Sequence, residues 1–162
     1  MGETVQGPVA IIGAGRLGRG LSQALQDTGI EATLLDRTRR PEDTLRAALV
    51  LIAVSDDAIG EVAAELARGR AVGGRHVVLH LSGLLDRHAL LALAVTGAAL
   101  GSFHPLQSIA DPSTASARLR GAFAGLEGTT APSTPASGSP ARWGCVRSGS
   151  RPARRRRIMR ER

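Results

Sequence analysis

Gly13-Ala14-Gly15-Arg16-Leu17-Gly18 follows the apolar run Val9 to Ile12 and leads into a segment whose Leu17, Leu21, Ala24 and Leu25 fall on one helical face. A strand that turns through glycines into a helix aims free backbone N–H groups and the positive end of the helix dipole at one place, which suits a pyrophosphate. Gly13 permits the tight turn, Gly15 lets the backbone approach phosphates with no Cβ in the way, and Gly18 lets helix and strand pack closely. Gly20 extends the small-residue face. The same residues also describe a tight turn that holds nothing, so the motif gains weight only from the elements around it.

A dinucleotide fingerprint expects an acidic residue about 20 positions on, at the end of the second strand, to accept hydrogen bonds from the adenosine ribose. Asp36 stands 21 residues after Gly15. Its carboxylate favours NAD, because it repels a 2′-phosphate. Arg37, Thr38, Arg39 and Arg40 follow at once, and a guanidinium there pairs a 2′-phosphate bidentately unless the segment is only a solvated loop. The signals oppose one another, and the expected cofactor is NADP or NAD, with a slight lean to NADP.

Three further pieces fall where strands of such a sheet should end, on the edge where ligands collect. They are Val54-Ser55-Asp56-Asp57, His80-Leu81-Ser82-Gly83 and Phe103-His104-Pro105-Leu106-Gln107-Ser108. A serine hydroxyl can hydrogen-bond a substrate carbonyl or carboxylate, and a histidine can move a proton near neutral pH. The plainer alternatives are a strand-to-helix turn at Ser82-Gly83 and a His104 that only orients the turn fixed by Pro105. His76 and His80 share one face of a strand but lack a third ligand, so they read as structural and no metal site is expected.

The elements that must position these residues alternate from Pro8 to Glu127 between short apolar runs and segments of helical period, as in an α/β fold with a parallel sheet. The expected strands are Val9 to Ile12, Ala32 to Leu35, Leu49 to Val54, His76 to Leu81, Ala98 to Phe103 and Ala122 to Leu126. Their unbroken apolar character fits strands covered on both faces. Ile59, Val62, Ala63 and Leu66 mark a second helix capped by Ser55 or Asp56, and Asp86 caps a third that runs to about Val95.

The glycine turn, the Val-Ser-Asp-Asp loop, the His-Leu-Ser-Gly strand end and the His-Pro-Leu-Gln turn, in that order, resemble a family of bacterial Rossmann-like NAD(P)-dependent oxidoreductases with a C-terminal domain of unknown function. That family looks related to pyrroline-5-carboxylate reductase, prephenate dehydrogenase and the deazaflavin-dependent NADP reductases. The resemblance covers about Val9 to Gly128. It implies a doubly wound, mostly parallel sheet and hydride transfer between a nicotinamide cofactor and a small oxo-acid or imine. It implies that Gly13 to Gly18, Asp36, Arg37, Thr38, Val54, Ser55 and Asp56 hold the cofactor. Ser82, Gly83 and His104 would face the nicotinamide side, with Ser82 and His104 as the catalytic residues. The family also has a helical second domain that closes the site and forms a homodimer. The sequence shows no counterpart to it, which makes the dimer and full activity of this chain doubtful.

All 21 basic residues are arginine, there is no lysine, asparagine or tyrosine, and the net charge is +7. The charge is uneven: residues 1–128 carry 12 arginines against 13 acids, whereas residues 129–162 carry nine against one. The basicity therefore belongs to the tail and says nothing about the partner of the body. Residues 1–128 read as one dinucleotide-binding domain. Residues 129–162, rich in Arg, Pro, Ser and Thr, read as a disordered basic tail or as the product of a shifted reading frame. Such a tail would engage nucleic acid only non-specifically. A non-catalytic dinucleotide-binding module with a tail for an acidic partner is the competing reading. With no apolar run long enough to span a bilayer and a single cysteine, Cys145, the expected location is the cytoplasm, away from membranes.

Overall fold

The computed structural model describes residues 7–119, 122–128 and the backbone of Arg142–Arg147. The apolar runs form the centre of one sheet. β1 (Val9–Ile12), β2 (Ala32–Leu35), β3 (Leu49–Ile52), β4 (Val77–His80) and β5 (Ala99–Pro105) lie parallel in the order β2-β1-β3-β4-β5. β6 (Phe123–Gly128) and β7 (Arg142–Arg147) extend it antiparallel beyond β5. This is the expected α/β, Rossmann-like, mostly parallel sheet. Its strand order reverses at β1, where chain direction across the sheet changes and a crevice opens.

The two faces are covered unequally. α2 (Asp56–Arg68) turns Ile59, Val62, Ala63 and Leu66 onto Ile12, Val50, Ile52 and Val78, and Leu90 and Leu93 complete this buried cluster. α1 (Arg16–Gln26) and the short α3 (Ala115–Leu119) cover the other face around Val9, Ile11 and Leu51. There Leu25, Leu49, Leu79 and Phe103 stay only partly buried. They line an apolar groove of about 420 Å³ together with Leu126.

Several boundaries differ from expectation. Ala53, Val54 and Leu81 lie outside their strands, although Ala53 N–H still reaches Ile12 O (2.7 Å) and Leu81 N–H reaches Ile52 O (3.1 Å). β6 begins at Phe123 and runs on to Gly128. The third helix is a 3-10 helix, Arg87–Thr96, capped as expected by Asp86, whose side chain accepts from His88 N–H at 2.9 Å. Residues three apart eclipse in that geometry, which aligns Leu90 and Leu93 with the core and leaves Leu91 and Val95 exposed. Ser55 occupies the cap position of α2 but makes no side-chain capping bond; its hydroxyl bonds the Asp57 carboxylate instead. The tail expectation falls outside the described residues except at Arg142–Arg147, whose backbone pairs with β6.

Candidate functional site

The strand register brings the chemistry-bearing ends to one edge. Ile12 sits beside Leu35 and Ile52, Ile52 beside His80, and His80 beside Ser102. The residues that follow these positions therefore succeed one another along the carboxyl side of the sheet: Asp36, Gly13, Val54, Ser82 and His104.

Gly13 has φ +115°, open to few side chains, and a methyl there would lie 2.5 Å from the Ala53 carbonyl oxygen. At Gly18 a methyl would collide with the carbonyl of Gly13, so these two glycines lock turn, helix and β3 together. Gly15 is different, because no atom lies within 4 Å of where its Cβ would be. It is also the N-cap of α1, with no side-chain cap and no acid in the first turn. The first turn of α1 thus has no side-chain cap and begins beside open space, which is the cradle a phosphate needs. Arg19 Nε donates to Ala14 O at 2.7 Å and braces the turn, while Arg16 stands exposed at its rim.

Beyond β2, Asp36 Oδ1 accepts from Thr38 N–H (2.8 Å) and Thr38 Oγ1 (2.7 Å). The Thr38 hydroxyl, then its N–H, hold the exposed Asp36 carboxyl below its ordinary pKa. Arg37 is exposed. Arg39 turns away to Glu65 on α2, with Nη2 to Oε2 at 2.8 Å and a side chain only 9% exposed. That arginine serves as a strut between loop and helix.

Two cavities meet at Ser82 and Gly83. One, about 380 Å³, is lined by Gly15, Arg16, Val54, Ser55, Asp56 and Ser82. The other, about 470 Å³, is lined by Ser82, Gly83, Asp86, Ser102, His104 and Glu127. Ser82, nearly buried, accepts from Leu84 N–H and Leu85 N–H, each at 3.1 Å. Its oxygen holds the turn, so what it can offer a ligand is its proton. His104 is half-buried, and neither ring nitrogen has a protein partner among the described residues. Glu127 faces the same space and pairs loosely with Arg87 at 3.6 Å.

The structure thus brings Gly15, Arg16, Leu17, Val54, Ser55, Asp56 and Ser82 to one cleft, with His104 in the adjoining cavity. Asp36, Arg37 and Thr38 line neither cavity and stand past the end of β2. His80 Nε2 meets Asp86 O at 2.9 Å and His76 Nδ1 accepts from Gly73 N–H at 2.9 Å, so both serve backbone groups. Sequence reasoning gave no part to Gln107 and Ile109, which line the first cavity, or to Glu127. Gln107 had a signal, since it belongs to the strand-end motif of His104; Glu127 had none.

No family model matches the chain, and no curated protein matches it. Solved structures do. Arogenate dehydrogenase from Synechocystis is 14% identical, with 76% of this chain and 51% of that chain covered at a TM-score of 0.62. A protein described as a candidate NADP oxidoreductase from Bacteroides fragilis is 18% identical, with 76% and 52% covered at 0.58. Pyrroline carboxylate reductase from Plasmodium falciparum, solved with NADP bound, is 13% identical, with 64% and 44% covered at 0.50. The chain spans about half the length of these structures or less. At such identities the likeness is one of fold: the chain has the Rossmann-like α/β architecture found in these oxidoreductases.

Proposed function

We propose that this chain binds a nicotinamide dinucleotide and forms the cofactor half of an oxidoreductase acting on a small oxo-acid or imine. The observation that carries the reading is the continuous strand-end cleft, in which the open cradle at Gly15 leads past Asp56 to Ser82 and on to His104. The residues fit the cofactor. Gly15 and the first turn of α1 would take the pyrophosphate, Asp36 the adenosine ribose, and Val54, Ser55 and Asp56 the second ribose. The cofactor, when bound, supplies or accepts a hydride. Ser82 would donate a hydrogen bond from its hydroxyl to a carbonyl, carboxylate or carboxamide oxygen. His104, whose ring nitrogens face no protein partner, gives or takes the proton that accompanies reduction or oxidation at the substrate heteroatom. The fold likeness to proteins named as NADP and arogenate oxidoreductases supports this reading.

Isothermal calorimetry of the full chain with NADP⁺ and with NAD⁺ tests it. Gly15→Val puts its Cβ into the open cradle, so it should weaken binding by at least about tenfold and lower the unfolding midpoint only by the small cost of a poorer N-cap residue. Undiminished binding by this variant would place the cofactor elsewhere. Lack of binding by the unaltered chain would refute the reading itself.

A further inference from the structure

We propose that Gly83 is the positioning residue for His104, and that a steric fit, in place of a hydrogen bond, sets the plane in which the imidazole lies beside the second cavity. The functional meaning of this fit rests on the reading of His104 as the proton-bearing group. A methyl built on Gly83 would lie 2.6 Å from Cε1, 2.7 Å from Nε2 and 3.0 Å from Nδ1 of His104. The face of the ring around Cε1 therefore rests directly on the Gly83 backbone, at a spacing that a larger residue would keep only by displacing the ring. Gly83 has no left-handed φ, so its backbone does not demand glycine. The space does.

The other three histidines are held differently. His76 and His80 bond backbone groups, and His88 bonds the Asp86 carboxylate at 2.9 Å. A histidine that moves protons is ordinarily oriented through a hydrogen bond on its second nitrogen. His104 has no such partner among the described residues, so the surface beneath the ring fixes its torsion. That surface is available because β4 and β5 are neighbours, with His80 beside Ser102. On its other flank, Gly125 stands opposite His104 across the β5–β6 pair. A methyl there would meet only the His104 carbonyl oxygen, at 4.0 Å. One glycine supports the ring, and the other lines the cavity that the ring also lines.

The test uses the full chain without ligand, with ¹⁵N-labelled imidazoles followed through a pH titration by NMR. Gly83→Ala should displace the His104 ring resonances and move their midpoint by about half a pH unit or more, with those of His76, His80 and His88 in place. Gly60→Ala, on α2 with nothing within 4 Å, should move none of them. In a His104→Ala background, Gly83→Ala should lose its effect on the unfolding midpoint, because the ring the methyl strikes is gone. Unchanged His104 resonances in Gly83→Ala would overturn the proposal, as would an equal fall in the unfolding midpoint with and without the ring. If Gly83→Ala alone fails to fold, the double variant must fold, and its failure overturns the proposal too. These readouts involve no cofactor, so a chain that binds neither NADP⁺ nor NAD⁺ would sink the functional reading without touching them.

Discussion

Asp36 and Arg37 make opposite demands on a cofactor, and the geometry sharpens the contest. Both Thr38 donors act on Oδ1, which leaves Oδ2 to accept from a ribose hydroxyl. Arg39 is committed to Glu65, which leaves the exposed Arg37 and Arg40 to meet a 2′-phosphate, Arg37 being the one next to Asp36 in the chain. Asp36→Ala should weaken NAD⁺ binding by roughly tenfold and NADP⁺ binding less, and Arg37→Ala should do the reverse; paired calorimetry reads both. If the two variants shift both cofactors equally, neither residue discriminates. The pH dependence has a definite sign. Because the folded-state pKa of Asp36 is depressed by Thr38, the ionised form and its turn bonds persist as pH falls into the ordinary carboxylate range. They are lost only as pH falls through the lowered value. Affinity for NAD⁺ should therefore hold between pH 7 and about pH 5 and fall only below about pH 4.

At the scale of elements, the unequal cover of the sheet predicts unequal sensitivity. Leu66 on α2 is fully buried, so Leu66→Ala should cost about 2–5 kcal/mol through lost transfer and a cavity. Leu49 on the groove side keeps partial access to water, and Leu49→Ala should cost about 1–2 kcal/mol. Urea midpoints would compare them, and equal losses would mean the groove is covered in solution. The Arg39–Glu65 strut adds a second prediction. Glu65→Gln leaves a largely buried guanidinium without its counter-charge and should cost about 1–2 kcal/mol, moderated by the 37% exposure of Glu65. Arg39→Met in the same background should recover part of that loss. Much of this architecture was legible in the sequence, because strands buried on both faces read as unbroken apolar runs and the faces of α1 and α2 repeat at helical spacing. The 3-10 form of Arg87–Thr96 was not legible, since Leu90 and Leu93 satisfy a period of 3.0 as well as one of 3.6. Nor was the direction of β6, which no residue type encodes. The strand-end residues of the site could be found because each stands at or just past the end of its own strand. The part of Gly83 and the double duty of Ser82 Oγ are tertiary facts: one joins a residue past the end of β4 to a residue on β5, and the other depends on how the chain turns after β4.

Over the whole molecule, charge divides where the body ends: residues 1–128 are nearly neutral and residues 129–162 carry nine arginines against one acid. Binding to a polyanion is governed by how many phosphates are neutralised, with the logarithm of affinity falling against the logarithm of salt at about −0.9 per contact on duplex DNA. Any retention of this chain on nucleic acid should therefore be a property of the arginines past Gly128, steep in salt and indifferent to base sequence. Cutting the chain at Gly128 is a poor test, because it would strip β7 from the edge of β6. Replacing Arg154 to Arg157 by serine leaves both strands intact. Filter binding to a random duplex across a salt series should show the slope reduced by roughly 3 to 4 in that variant, with calorimetric cofactor affinity unchanged. A slope untouched by the replacement would move the contact to the body, where Arg16 lines the cleft and Arg19, Arg37 and Arg40 are among the other exposed cations. Excess NADP⁺ would then compete for the same surface.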